Sequence, residues 1–158
     1  MPISKQEFRR VLGHFAAGVT VITTVGDDGK PYGLTATAFT SVSLEPPLVL
    51  VCVDKRAESH PHFHASRIFA VNFLRADQQE VSRGFAVSGG DKFSGVEMRQ
   101  GVTGAPVLAG VLGHLECRTT DVCEGGDHTI FIGQVESADA TEGEPLLYFK
   151  GAYGKIGR

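Results

Sequence analysis

The run GVTVITTV, residues 18–25, is β-branched over most of its length and stops at GDDGKP. This pairing of extended chain with a tight turn limits the fold more than any other feature. Beyond the turn, YGLTATAF is extended again, so the two stretches form a hairpin. The pattern returns late in the chain, where VLGHLECRTTDVC (111–123) and HTIFIGQVESADA (128–140) flank the turn EGGD. Between them, residues 48–53 are an apolar run that reads as a buried strand, RIFAVNFL (67–74) reads as another, and PLLYFKGAYGKI closes the chain. Short strands joined mostly by hairpins predict a mainly β, antiparallel barrel with a few flanking helices, not a parallel α/β sheet.

Three helices are expected around it. Ser4 and Glu7 form a capping box, and Phe8, Val11, Leu12 and Phe15 recur at helical spacing, so residues 4–16 predict an amphipathic helix packed by one face. Pro61 suits the first turn of a short helix over 61–66, with Ser59 or His60 near its cap. ADQQEVSRGFAV predicts a helix capped by Asp77, with Val81 and Phe85 on one face. The Gly-rich segment 88–104 is the longest irregular piece.

At 158 residues the chain is one domain, 1–158, large enough to bury a core without staples. A net charge of -3 offers no cationic field for nucleic acid or an anionic membrane. The absence of a signal-like start or a spanning apolar stretch predicts a cytoplasmic protein. Cys52, Cys117 and Cys123 read as small buried hydrophobes. His60 and His64 meet the i, i+4 spacing of a metal pair, but no second ligand group accompanies them, so no metal is expected.

The residues with chemical potential lie in GLTATAFTSVSLEPPLVLVCVDKRAES (33–59). Its first part alternates, but what alternates is small: Thr35, Ala36, Thr37, Ala38, Ser41. Small side chains let a flat ligand approach the backbone, and free N–H, C=O and hydroxyl groups can meet the rim of a heteroaromatic ring. Lys55 and Arg56, with Ser59 at a helix start, suit a phosphate. The same residues also read as an exposed strand followed by a solvated turn.

Longer motifs favour the first reading. FAAGVTVITT, GLTATAFTSVSLEPPL, FAVNFL and GDHTIFIGQV occur in order over nearly the whole chain, which thereby resembles the flavin reductase-like family, the small components of two-component flavin-dependent monooxygenases. The resemblance implies a split β-barrel with Greek-key-like antiparallel strands, a homodimer, FMN or FAD as the flavin and NADH or NADPH as the hydride donor. It implies that Thr35, Ala36, Thr37 and Ala38 meet the flavin ring and that Ser41 and Val42 line the path to its phosphate. Lys55, Arg56, Ala57 and Ser59 would form the phosphate-side loop, with Arg56 as the main partner and Glu58 a like charge beside it. Phe85 would lie near the flavin. His128 would stand on the nicotinamide side as the catalytic-site residue, with Tyr153 a second candidate for that pocket. Hydride transfer needs no protein nucleophile, which accounts for the absence of a catalytic triad and of a GxGxxG turn. The partner implied is an oxygenase that receives reduced flavin. Two other readings remain open: a protein with tightly bound FMN that reduces another acceptor, and a flavin-binding module without reductase activity.

Overall fold

The structure, a computed structural model, describes residues 1–157. Helix α1 (Lys5–Leu12) leads into β1 (Ala17–Gly18), β2 (Thr20–Val25), β3 (Pro31–Ala36), β4 (Phe39–Ser43) and β5 (Leu48–Asp54). Then come α2 (His60–Ser66), β6 (Ile68–Phe73), α3 (Gln79–Ala86), β7 (Met98–Gln100) and β8 (Pro106–Leu108). The long hairpin β9 (Gly113–Gly125) and β10 (His128–Ala140) comes next, then β11 (Leu147–Phe149) and β12 (Ala152–Gly154).

Seven strands form one antiparallel sheet in the order β3-β2-β6-β9-β10-β5-β4. Its two edge strands, β3 and β4, are neighbours in sequence, separated only by Thr37 and Ala38. A connection of two residues cannot cross an open seven-stranded sheet, whose strands lie about 4.8 Å apart. The sheet therefore curls until its edges meet, and the seam falls at residues 37–38. Inside lie Ile22, Val49, Val51, Val53, Phe69, Val71, Cys117 and Phe131, with Phe63 from α2 packed into the same cluster. These alternate with outward-facing positions along their strands, as in β5, where every second residue is buried.

The segment after α3 is docked outside the barrel by buried polar contacts. Thr23 Oγ1 donates to the Pro106 carbonyl at 2.6 Å, and the Leu108 amide donates to Asn72 Oδ1 at 3.0 Å. Glu116 Oε1 accepts from both the amide and the hydroxyl of Thr103, at 3.1 and 3.0 Å. Beside these, Val19, Val21, Leu74, Phe85, Leu108, Val111 and Leu146 form a second apolar cluster.

Several expectations need correction. The first helix stops at Leu12, with Gly13 as its C-cap, and none of its residues is buried in the single chain. Ser4 does accept from the Glu7 amide at 3.1 Å, so the cap is as read while the packed face is not. The helix α3 begins at Gln79 with Gln78, not Asp77, at the N-cap position. Cys117 is buried, and burial pushes its thiol up to about 12. Cys52 is half-buried and Cys123 is exposed, because the end of β9 projects past the core. Of the three clustered histidines, His60 and His64 stay together, their rings 4.8 Å apart and both edge-on to Phe131, with His60 sharing a hydrogen bond of 2.8 Å with Thr129 Oγ1, whereas His62 turns away and stacks on Tyr32.

Candidate active site

A groove of about 670 Å3 opens at the seam of the barrel. One wall is the end of β3 and its link to β4, contributing Thr35, Ala36, Thr37 and Ala38. The opposite wall comes from Cys52 and Asp54 of β5, the turn at 56–58, and His128 at the start of β10. The C-terminal end of α3 with Phe85, and Lys92 beyond it, closes the third side. Antiparallel register explains the meeting of Asp54 and His128, which are paired directly across β5 and β10.

Small residues occupy this wall for more than one reason. At Gly33 a Cβ would press on the Phe85 ring at 3.2 Å, so the glycine serves the packing of α3 on β3. Thr35 uses its hydroxyl internally, donating to the Ser82 carbonyl at 2.5 Å. Ala36, Thr37 and Ala38 have no such duty in their side chains and leave the groove wide.

The charged groups are paired but reachable. Arg56 is largely exposed and holds Asp54 through two side-chain bonds of 3.2 and 2.9 Å. Those bonds, with the Arg56 amide donating to the same carboxylate, hold the Asp54 carboxyl at about 2. A carboxyl depressed in the folded state loses its pair only as pH falls toward that value, so the pair persists throughout the neutral range. His128 Nδ1 lies 2.7 Å from Asp127 Oδ1, which leaves Nε2 as the ring nitrogen available to a ligand, and the contact holds the Asp127 carboxyl below its usual range. Lys92 Nζ donates to the carbonyls of Gly33 and Phe85 at 3.3 and 3.2 Å, and burial pulls its pKa down.

Of the residues singled out in the sequence, Thr35, Ala36, Thr37, Ala38, Arg56, Ala57, Phe85 and His128 come together here. Phe85 does so as a buried core side chain that also edges the groove. Five do not line it. Ser41 and Val42 sit on the exposed edge strand β4, where the register shifts between Ser41 and Ser43. Lys55 points to Glu124, with Nζ and Oε2 2.5 Å apart. Tyr153 shares a hydrogen bond of 2.6 Å with Ser82 Oγ and lies beneath Arg83. Ser59 lines an adjoining cavity of about 610 Å3 that shares Glu58 and Lys92 with the groove. Asp54 and Lys92 are the charged groove residues that sequence reasoning missed, beside the smaller and apolar Leu34, Cys52, Ala86, Val87 and Ser88. Asp54 stood next to the KR pair and was legible as the end of a strand, whereas nothing in the segment 88–104 marks Lys92.

The groove suits a flavin. Its width is set by methyls and hydroxyls, and Lys92 and Arg56 supply cationic donors; in the adjoining cavity Ser59 Oγ is buried with no hydrogen-bond partner, a hydroxyl that a bound acceptor would satisfy.

Comparison with known proteins points the same way. The reductase component of 4-nitrophenol 4-monooxygenase/4-nitrocatechol 2-monooxygenase from Rhodococcus opacus is 44% identical over 97% of this chain and 82% of its own length. An NADH-dependent FAD reductase from Streptomyces globisporus is 44% identical over 95% of this chain and 84% of its own. The solved structure of the Streptomyces globisporus NADH:FAD oxidoreductase SgcE6, in complex with NAD and FAD fragments, superposes with a TM-score of 0.92. It is 44% identical over 98% of this chain and 93% of that one. The model of the flavin reductase like domain matches residues 12–157, and the chain therefore belongs to the flavin reductase-like family.

Proposed function

We infer that this chain is an NAD(P)H:flavin oxidoreductase that takes up FMN or FAD, reduces it with NADH or NADPH, and releases the reduced flavin to a separate flavin-dependent oxygenase. The observation that carries this reading is the convergence, at one open seam, of the small stretch 35–38, the Arg56–Asp54 pair and His128. The flavin, when bound, supplies the hydride-accepting ring, so the chain needs to bind, orient and shield rather than to attack.

Each residue has a task of that kind. Ala36, Thr37 and Ala38 let the ring lie against the backbone, and Phe85 and Ala86 exclude water from one side. Arg56 and Lys92 attract the phosphate. His128, its ring set by Asp127, holds the nicotinamide nucleotide from the opposite wall. Bringing the two rings within about 3.5 Å is where most of the acceleration arises.

A second copy of the chain completes the site in this reading. Phe8, Val11, Leu12 and Phe15 are 53%, 52%, 53% and 81% exposed, and Phe15 also lines an apolar hollow with Phe39, Phe73 and Leu146. Thr37 lines both that hollow and the groove, so a homodimer covering the hollow would border the flavin. A cytoplasmic location belongs to the same reading, since the hydride donor it requires is NAD(P)H. None of the helices among the described residues is long and apolar enough to cross a membrane.

The test is anaerobic, with purified protein, NADH or NADPH, and excess FMN or FAD, following loss of the flavin's visible absorbance. Bleaching of many equivalents per protein is expected, with His128→Ala raising the KM for the nicotinamide nucleotide. Bleaching of a single equivalent would mean a resident flavin serving another acceptor, and no bleaching would mean a binding module.

A further inference from the structure

The two basic residues that follow β5 are tied to different carboxylates. Lys55 is drawn toward Glu124 and does not line the groove, whereas Arg56 stays at the groove and grips Asp54. Its Nη2 donates to Asp54 Oδ2 at 2.9 Å and its Nε to Oδ1 at 3.2 Å. That is the two-bond mode in which a guanidinium also takes a phosphate. Lys92 is committed differently, since its partners are the uncharged carbonyls of Gly33 and Phe85.

A phosphate in the groove and the Asp54 carboxylate therefore compete for the same donors. The pair is open to exchange, because the Arg56 side chain is 85% exposed and an ion pair so placed is weak. Asp54 is the anchored member. Its Oδ1 accepts from the Arg56 amide at 2.8 Å and its backbone carbonyl accepts from the Ala57 amide at 3.0 Å, so it stays in place when the guanidinium swings away. The guanidinium and that amide hold its carboxyl at about 2, so before a flavin arrives the competitor is charged throughout the neutral range.

We propose that Asp54 is a built-in competitor of the flavin phosphate for Arg56, a positioning residue that loosens the flavin's hold so that reduced flavin is released rather than retained. The proposal rests on the flavin reductase reading, with Arg56 as the phosphate partner. Without the rival carboxylate, the guanidinium would meet the phosphate unopposed and the flavin would stay longer.

Asp54→Asn tests it, because the amide oxygen can still accept from the Arg56 backbone N–H while the charge and the second acceptor are lost. Parent and variant are titrated with the flavin nucleotide that the parent reduces, FMN or FAD, and with riboflavin, which keeps the ring and ribityl chain but has no phosphate. The nucleotide is expected to bind about threefold to tenfold tighter in the variant, with its release in stopped flow slowed by a similar factor, and riboflavin affinity is expected not to change. A second background separates competition from plain repulsion: added to Arg56→Met, Asp54→Asn should bring no further gain. Unchanged nucleotide affinity, an equal gain for riboflavin, or a gain that persists beside Arg56→Met would each overturn the proposal. If the parent bleaches many equivalents of flavin and Asp54→Asn binds it no tighter, only the proposal fails; if the parent binds neither FMN nor FAD, the reductase reading falls with it.

Discussion

Thr35 and Thr37 stand two positions apart in the same stretch of small residues, and the strand pleat turns both toward the groove side, yet their tasks differ. Thr35 donates to the Ser82 carbonyl and so ties β3 to α3, while Thr37 is exposed at the seam. Replacing Thr35 with Leu therefore confuses two effects: the lost bond costs about 1 kcal/mol, and the longer side chain also enters the groove. Thr37→Leu separates them. Its stability is expected to stay within about 0.5 kcal/mol of the parent in urea melts, since the site is a surface one. Flavin affinity, by titration, should fall about tenfold, and unchanged affinity would move the ring seat away from the seam. His128 and the stretch 35–38 were legible because they lie in the motifs that carry the family resemblance, and the groove brings them together. Lys92 was not, because its position depends on how an aperiodic segment docks on β3 and α3. Ser41 and Val42 were assigned to the path toward the phosphate by the family resemblance, whereas here they sit on the exposed strand β4 beside its bulge and do not line the groove.

At the level of elements, the docked segment 88–112 shows how little local pattern governs it. β7 and β8 are three residues each, too short to announce themselves, and they are held by side chains from β2, β6 and β9. The most constrained point is Gly101, in the turn between them, where a Cβ would overlap the Glu116 carboxylate. That carboxylate is not a flexible end free to swing aside. It is fully buried, one oxygen is committed to Thr103, and the other faces His114 Nε2 at 3.9 Å with no hydrogen bond of its own. Gly101→Ala is thus expected to destabilise the chain by about 2 kcal/mol, the usual scale of overpacking, read as a lower urea midpoint at unchanged slope. An unaltered midpoint would mean that the carboxylate yields, and that Thr103 is not firmly held. The core strands β2, β5, β6 and β10 were legible for the opposite reason, being apolar runs bounded by turn residues. The ends of α1 and α3 were not, since capping geometry decides them within a residue or two.

For the whole molecule, hairpin connectivity was enough to indicate an antiparallel barrel, but the place where the barrel stays open depends on strand order alone. With β3 and β4 at opposite edges and two residues between them, the seam and the site have to coincide. The exposed face of α1 is a property of the same scale. An amphipathic helix that buries nothing in its own chain leaves a contiguous apolar face in water, which soluble monomers rarely tolerate. Because that face makes few contacts within the chain, charging it should not harm the fold of one subunit. Phe8→Glu combined with Leu12→Glu is therefore expected to convert a dimer to a monomer by light scattering while leaving the β signal in circular dichroism intact. Association also stabilises by mass action, so the parent's Tm should rise with protein concentration and the variant's should not. If the charged variant still scattered as a dimer, the contact would lie elsewhere, and the hollow beside Thr37 would lose its role in completing the groove.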